Sequence, residues 1–224
     1  MSPHDELTKT NLRTPRAAAL AGIIFSIMLF LAFWLLRVSI PAGPAGSSAW
    51  LGEHATAITV ALSLIPFSGI AFLWLIGVLR DRLGQREDRL LATVFLGSGL
   101  LFLAMLFSAA AVASAAVTVF SVTPAQELDL RVLAFARTLI SDLMNIYAVR
   151  MAGVFMFSIS TVAIYTGFAP RYISFLGYGL ALFLLFGNPY FEWSFLVFPL
   201  WVFLLSAYVL ASNLRRRSHA RNLT

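Results

Sequence analysis

Four polar side chains recur on one helical face of this sequence. Thr138, Ser141, Asp142 and Asn145 fall at i, i+3, i+4 and i+7, the spacing of one stripe at the α-helical period. Arg131, one heptad before Thr138, extends the stripe, and Arg137 and Arg150 lie to either side of it. A carboxylate, an amide, two hydroxyls and guanidinium groups on one face have two uses. At membrane depth such a face is expensive to keep and marks a solute or proton pathway. Standing in water, it is the wet side of an amphipathic helix. Asp142 and Arg150 are eight residues apart, about 12 Å along a helix axis. They cannot pair within the helix, so the expected anions for Arg150 are Glu53 and Glu192.

Other chemistry is poorly provided for. His4 and His219 lie in the two tails and His54 in a loop, with none at metal-ligand spacing from another His, Asp or Glu. There is no cysteine, so disulfides, thiolate metal sites and thiol nucleophiles drop out. Glu53 and His54 are too isolated to act as an acid and base pair. Met28, Met105, Met144, Met151 and Met156 read as packing rather than haem ligation, and no Gly-rich phosphate loop follows a strand. No cofactor and no metal are expected, and an enzyme is not the expected class.

The elements that must position the polar face are set by composition. Of 224 residues, 60% are hydrophobic and 12% charged, more apolar surface than a soluble domain of this length can hide, so lipid is the expected solvent. Apolar runs predict six spans at about residues 17–36, 56–79, 90–120, 148–167, 172–186 and 193–210, with tails at 1–16 and 211–224. The first run is too long for a signal-peptide core and is read as a retained span. Pro66 is expected to kink the second. Thr123, Pro124 and Gln126 read as an N-cap, first-turn proline and capping box opening a fourth helix that ends at about Gly167.

Charge then orients the chain. With the N-terminus inside, twelve of the sixteen Lys and Arg fall on the inner side, leaving Arg37, Arg131, Arg137 and Arg150 outside. That is the positive-inside pattern, with both termini cytoplasmic. Tyr190, Phe191 and Trp193 would join an outer aromatic belt. The basic tail NLRRRSHAR then reads as a topology anchor beside anionic lipid, not as a nucleic-acid site. The excess of Arg over Lys, with many Ala and Leu, is read as a GC-rich bacterial genome, hence a bacterial cytoplasmic membrane.

The loop between the second and third spans, GVLRDRLGQR (residues 77–86), resembles the signature that major facilitator superfamily transporters carry at the same place. Gly77, Leu79, Asp81, Arg82, Gly84 and Arg86 fill the pattern, and Gln85 stands where a basic residue is common. The resemblance implies solute transport. It is confined to this loop, and six spans are half of the roughly twelve that such transporters use. Elementary electrostatics offers another origin for the same residues. Arg80 and Arg82 suit the negative end of one helix, Glu87 and Asp88 the positive end of the next, and Gly84 can take the left-handed conformation between them. The longer segment at residues 71–107 is similar to a bacterial family of uncharacterised multi-pass membrane proteins, which implies topology only.

The third and fourth helices exceed the ~20 residues that a span needs. Their excess, about residues 111–147, is expected to form an outer helical hairpin. Its first arm, SAAAVASAAVTV, spaces small residues four apart: Ala110 with Ser114, and Ala111 with Ala115. Such a face lets helix backbones approach, against the fourth helix or a second copy. Counting ~20 residues outward from Pro170 puts the outer boundary near Val149, Arg150 at the interface and Asp142 beyond it. The expectation is therefore an all-α, six-span helical bundle whose partners are the bilayer and a second copy or another membrane protein. Its expected role is interaction or assembly, with an oligomeric solute or ion transporter as the alternative.

Overall fold

The computed structural model describes residues 14–39, 49–83, 89–122, 130–167, 169–187 and 193–221. All of its elements are helical: α1 (Thr14–Ser39), α2 (Ala49–Leu83), α3 (Arg89–Val122), α4 (Leu130–Asp142), a π-helical segment π1 (Leu143–Ala148), α5 (Val149–Thr166), α6 (Arg171–Leu182), a second π-helical segment π2 (Phe183–Gly187) and α7 (Ser194–Arg221). Five runs are long and apolar enough to cross a membrane: Ala17–Leu36, Thr56–Arg80, Leu90–Val119, Arg131–Thr166 and Ser194–Ser212. The fifth expected run, residues 172–186, corresponds to a shorter apolar helix, Arg171–Gly187. The expected cap at Thr123, Pro124 and Gln126, and the outer residues Tyr190, Phe191 and Glu192, lie outside the described residues.

The sequence pattern of α1 and α2 explains why they form a pair. Ile58, Ala61, Ile65, Ser68, Phe72, Leu75 and Leu79 alternate at three and four residues, and all are buried. On α1, Ala18, Ala21, Phe25, Leu29 and Ala32 also follow at three and four and are buried, and two such stripes pack as antiparallel helices with interlocking side chains. Phe25 of α1 packs against Phe72 of α2 in a tilted pair at 4.6 Å, while Leu36, near the C-terminal end of α1, meets the cluster around Ile58. Pro66 and Pro199 are accommodated inside α2 and α7.

Gly167 ends α5 as the sequence predicts. Its φ of 67° is left-handed, the natural place for glycine, and its N–H donates to the Ala163 carbonyl at 3.0 Å. Pro170, extended, then opens α6, its carbonyl accepting from the N–H groups of Ile173 and Ser174 at 3.1 and 3.3 Å. α6 returns antiparallel along α5. Gly153 faces Ala181 and Leu184, Gly177 sits against Ser160 and Trp201, and the Tyr178 hydroxyl donates to Thr161 Oγ1 at 2.8 Å.

The core centres on five phenylalanines, one from each of five helices: Phe25, Phe72, Phe102, Phe155 and Phe198. Each is at most 4% exposed. Phe72 and Phe198 each meet every other ring of the set, at centroid separations from 4.6 to 6.5 Å across the cluster. Most pairs are edge-to-face or tilted, as ring quadrupoles prefer. Phe95 stacks on Phe155 at 5.0 Å and extends the hub along α3.

Candidate functional site

The polar face lies on the helical run from Arg131 to Thr166, and its orientation depends on π1. Thr138, Ser141, Asn145, Ala148, Ala152, Phe155 and Ile159 follow one another at alternating steps of three and four. On an unbroken α-helix they would form a single stripe. The structure splits that stripe. Ala148, Ala152, Phe155 and Ile159 are buried, whereas Thr138 and Ser141 are exposed and Asn145 is half-buried. In α4 the buried residues are instead Leu133 and Ala136, with Ile140 half-buried one step further on.

The cause is local. The N–H of Val149 donates to the Met144 carbonyl, five residues back instead of four. A π turn takes up one extra residue, which offsets α4 from α5 by about 100°, one residue's rotation. Leu133, Ala136 and Ile140 are thereby brought over the side that α5 buries. Leu133 joins Ile58, Leu36, Leu62, Ala116 and Val117 in a small second core where α1, α2, α3 and α4 meet. The polar residues are turned away.

Their hydrogen bonds are local as well. Thr138 Oγ1 donates to the Ala134 carbonyl at 3.0 Å, Asn145 Nδ2 to Ser141 Oγ at 3.2 Å, and Arg150 Nη1 to the Ile146 carbonyl at 3.3 Å. Asp142 is half-buried at the last position of α4. Arg150 is half-buried too, and its bond runs back along the helix toward α4. The side chain of Glu53, and all of Glu192, fall outside what is described.

The interior holds no ionisable side chain among the described residues. Every buried polar residue there is a serine: Ser26, Ser39, Ser68, Ser98, Ser158, Ser160, Ser174, Ser194 and Ser206. Several donate back along their own helix, as Ser26 does to the Gly22 carbonyl at 2.7 Å and Ser158 to that of Val154 at 3.0 Å. Small hydroxyl residues that satisfy themselves in this way allow helices to approach closely. Small voids among the described residues are lined mainly by apolar side chains. One, of about 20 Å³, lies between Ala18, Leu79, Ile159 and Val202. Another, of about 10 Å³, is bordered by Met144 and Ala148 of π1 and Leu184 of π2. No group of three His, Cys, Asp or Glu that could hold a metal occurs among the described residues.

The other singled-out residues separate. Gly77 and Asp81 and Arg82 lie on the last turns of α2, while Gly84 and Arg86 lie outside the described residues. A Cβ on Gly77 would meet nothing within 4 Å, so no close approach requires glycine there. On α3, Ala110 packs against the main core, whereas Ala111, Ser114 and Ala115 are exposed. Ala116 and Val117 pack against the Ile58–Leu133 cluster.

Sequence reasoning missed the phenylalanine hub and the π segment. The first carries no signal in a chain with twenty phenylalanines. The second does: the apolar stripe of Leu133, Ala136 and Ile140 is out of phase with that of Ala148, Ala152 and Phe155 by nearly one residue. No protein-family model, curated protein or solved structure matches this chain.

Proposed function

We propose that this chain is a six-span integral membrane protein, with both termini cytoplasmic, that acts as a non-enzymatic interaction or assembly protein. The observation that carries the reading is the closed interior. Five rings from five helices fill the centre, and no ionisable side chain is buried among the described residues. Proton relays and many ion pathways through a bundle use such groups, and the described interior offers none of them.

A membrane position is supported by exposed aromatic residues. Tyr147 and Tyr165 are 56% and 83% exposed on the same helical run. Their separation of 18 residues spans about 27 Å, close to the ~30 Å of a hydrocarbon core, and tyrosine favours both of its boundaries. Phe155 then sits near mid-depth. Arg150 lies just inside the outer boundary, where it can snorkel, and Asp142 lies beyond it. The apolar outward faces between these limits, such as Ile24 and Ile27 of α1, Ile70 of α2 and Phe157 of α5, suit lipid. Arg171–Gly187, with 17 residues, reaches the lower limit of a spanning helix and completes the six as the fifth in chain order.

Ala111, Ser114 and Ala115, exposed on α3, are the face proposed for a second copy. The test is the size of the purified protein in nanodiscs. Ala111→Leu and Ser114→Leu should each release monomer, while Asp142→Asn leaves assembly unchanged. Monomeric wild-type protein would end the assembly reading. The alternative, an oligomeric transporter using Asp142, Asn145 and Arg150, is favoured by one observation: a π segment, often found at functional sites, begins beside Asp142. It requires solute flux in liposomes that Asp142→Asn abolishes.

A further inference from the structure

The stripe that π1 interrupts is continuous in the sequence, and this makes two registers of α4 available. We propose that π1 is a register switch: loss of its wide turn rotates α4 and carries Thr138, Ser141 and Asn145 from the surface to the buried side of the helix. The proposal does not depend on assembly or on transport, and concerns what this segment does in either case.

Both registers give α4 a coherent face. In the structure, Leu133 and Ala136 are buried and the small second core holds them. In an unbroken helix α4 turns by about 100° and advances by about 1.5 Å, one residue's rotation and rise. Thr138, Ser141 and Asn145 then continue the line of Ala148, Ala152 and Phe155. These are small or uncharged side chains, of the kind that helix interfaces in membranes accept. Asp142 stays about 100° from Ser141, as neighbours on a helix do, so the carboxylate flanks the buried side instead of entering it. Arg137, half-buried now, lies four residues before Ser141 and turns with it toward the buried side, so in the rotated register its long side chain must reach out to the edge of that side.

The surroundings of π1 fit a segment that moves. Met144 and Ala148 border a void, and the residue across it, Leu184, belongs to the second π segment. The side-chain bond from Asn145 to Ser141 lies along one stripe, four residues apart, and can persist through the rotation. A π turn forfeits regular hydrogen bonding, and an unbroken helix recovers it. Burial of Leu133 opposes that gain. A balance of this kind, between helix regularity and one apolar anchor, is what a two-state element needs.

The test uses maleimide labelling of the full chain in nanodiscs, where both faces of the membrane are accessible and there is no native cysteine to interfere. Ser141→Cys reports the switch. Phe135→Cys is the control, since this position lies off the buried side in either register. Exchanging the anchors, Leu133→Asn with Asn145→Leu, favours the rotated register. The labelling rate at position 141 is expected to fall by about tenfold or more, with the rate at 135 unchanged. Deleting Ile146 removes the extra residue and should restore fast labelling at 141. An unchanged rate at 141 in the exchanged chain overturns the proposal, as does a parallel change at both positions or a deletion that leaves labelling slow. Should the exchanged chain not fold, Asn145→Leu alone must slow labelling at 141 by a smaller factor, and no slowing overturns the switch. Should the deletion not fold, the two rates in the exchanged chain decide.

Discussion

Ser141 and Ala152 stand eleven residues apart on one helical run, about three turns of α-helix, yet Ser141 is exposed and Ala152 is buried. A straight helix would set both on the same side. The single wide turn between them, closed by the Val149 to Met144 bond, separates the polar face of α4 from the buried apolar stripe of α5. It also decides whether the chain's most polar stripe faces its own interior.

The hub should dominate stability. Phe72 touches every other ring of the cluster and is fully buried. Phe72→Ala is expected to cost about 3 kcal/mol or more, the range for emptying a packed aromatic site. Thermal unfolding of the detergent-solubilised protein measures this, and a loss below about 1 kcal/mol would mean that the centre repacks freely.

Two glycines in helices should respond in opposite ways. At Gly177 an added Cβ would run into Ser160 Oγ and come within 2.8 Å of the Trp201 ring. Gly177→Ala should therefore destabilise by about 1–3 kcal/mol, as overpacking does. Gly77→Ala meets nothing within 4 Å and should be neutral or stabilising by up to about 1 kcal/mol, from helix propensity. Paired thermal-shift measurements check the contrast.

Buried hydroxyls should differ according to their partners. Ser160 Oγ and Ser174 Oγ are buried without a hydrogen bond, so Ser160→Ala removes only a desolvated hydroxyl and should be neutral or stabilising. Tyr178→Phe loses the bond to Thr161 and should cost about 0.6 kcal/mol, typical of such bonds between membrane helices. Equal effects in a chemical-unfolding series would show that Ser160 has a partner in the membrane.

The proposed boundaries can be read with spin labels on single introduced cysteines. A label at Phe157, ten residues inward of Tyr147, should be reached by oxygen and not by a polar nickel relaxant. A label at Phe135, 68% exposed on α4 and beyond the proposed boundary, should show the reverse. The same accessibility at both sites would move the boundary off Tyr147.

Much of the architecture was legible in the chain itself, because it depends on neighbours in sequence. Apolar run lengths set the helices, the Gly167–Pro170 turn ends α5 and opens α6 as its residues require, and the stripes of α1 and α2 identify a packed pair. Such signals are local: a left-handed glycine or a repeat of three and four acts within a turn or two. The spacing of Thr138, Ser141 and Asn145 was equally plain, and so was the helix that carries them. Their direction was not. It depends on which of two out-of-phase stripes is buried, and that was decided by α1, α2 and α3, which offer Leu133 an apolar seat at Ile58 and Leu36. The hub was hidden for the same reason: burial of a phenylalanine is a property of the helices around it, and only the assembled bundle brings Phe25, Phe72, Phe102, Phe155 and Phe198 to one point.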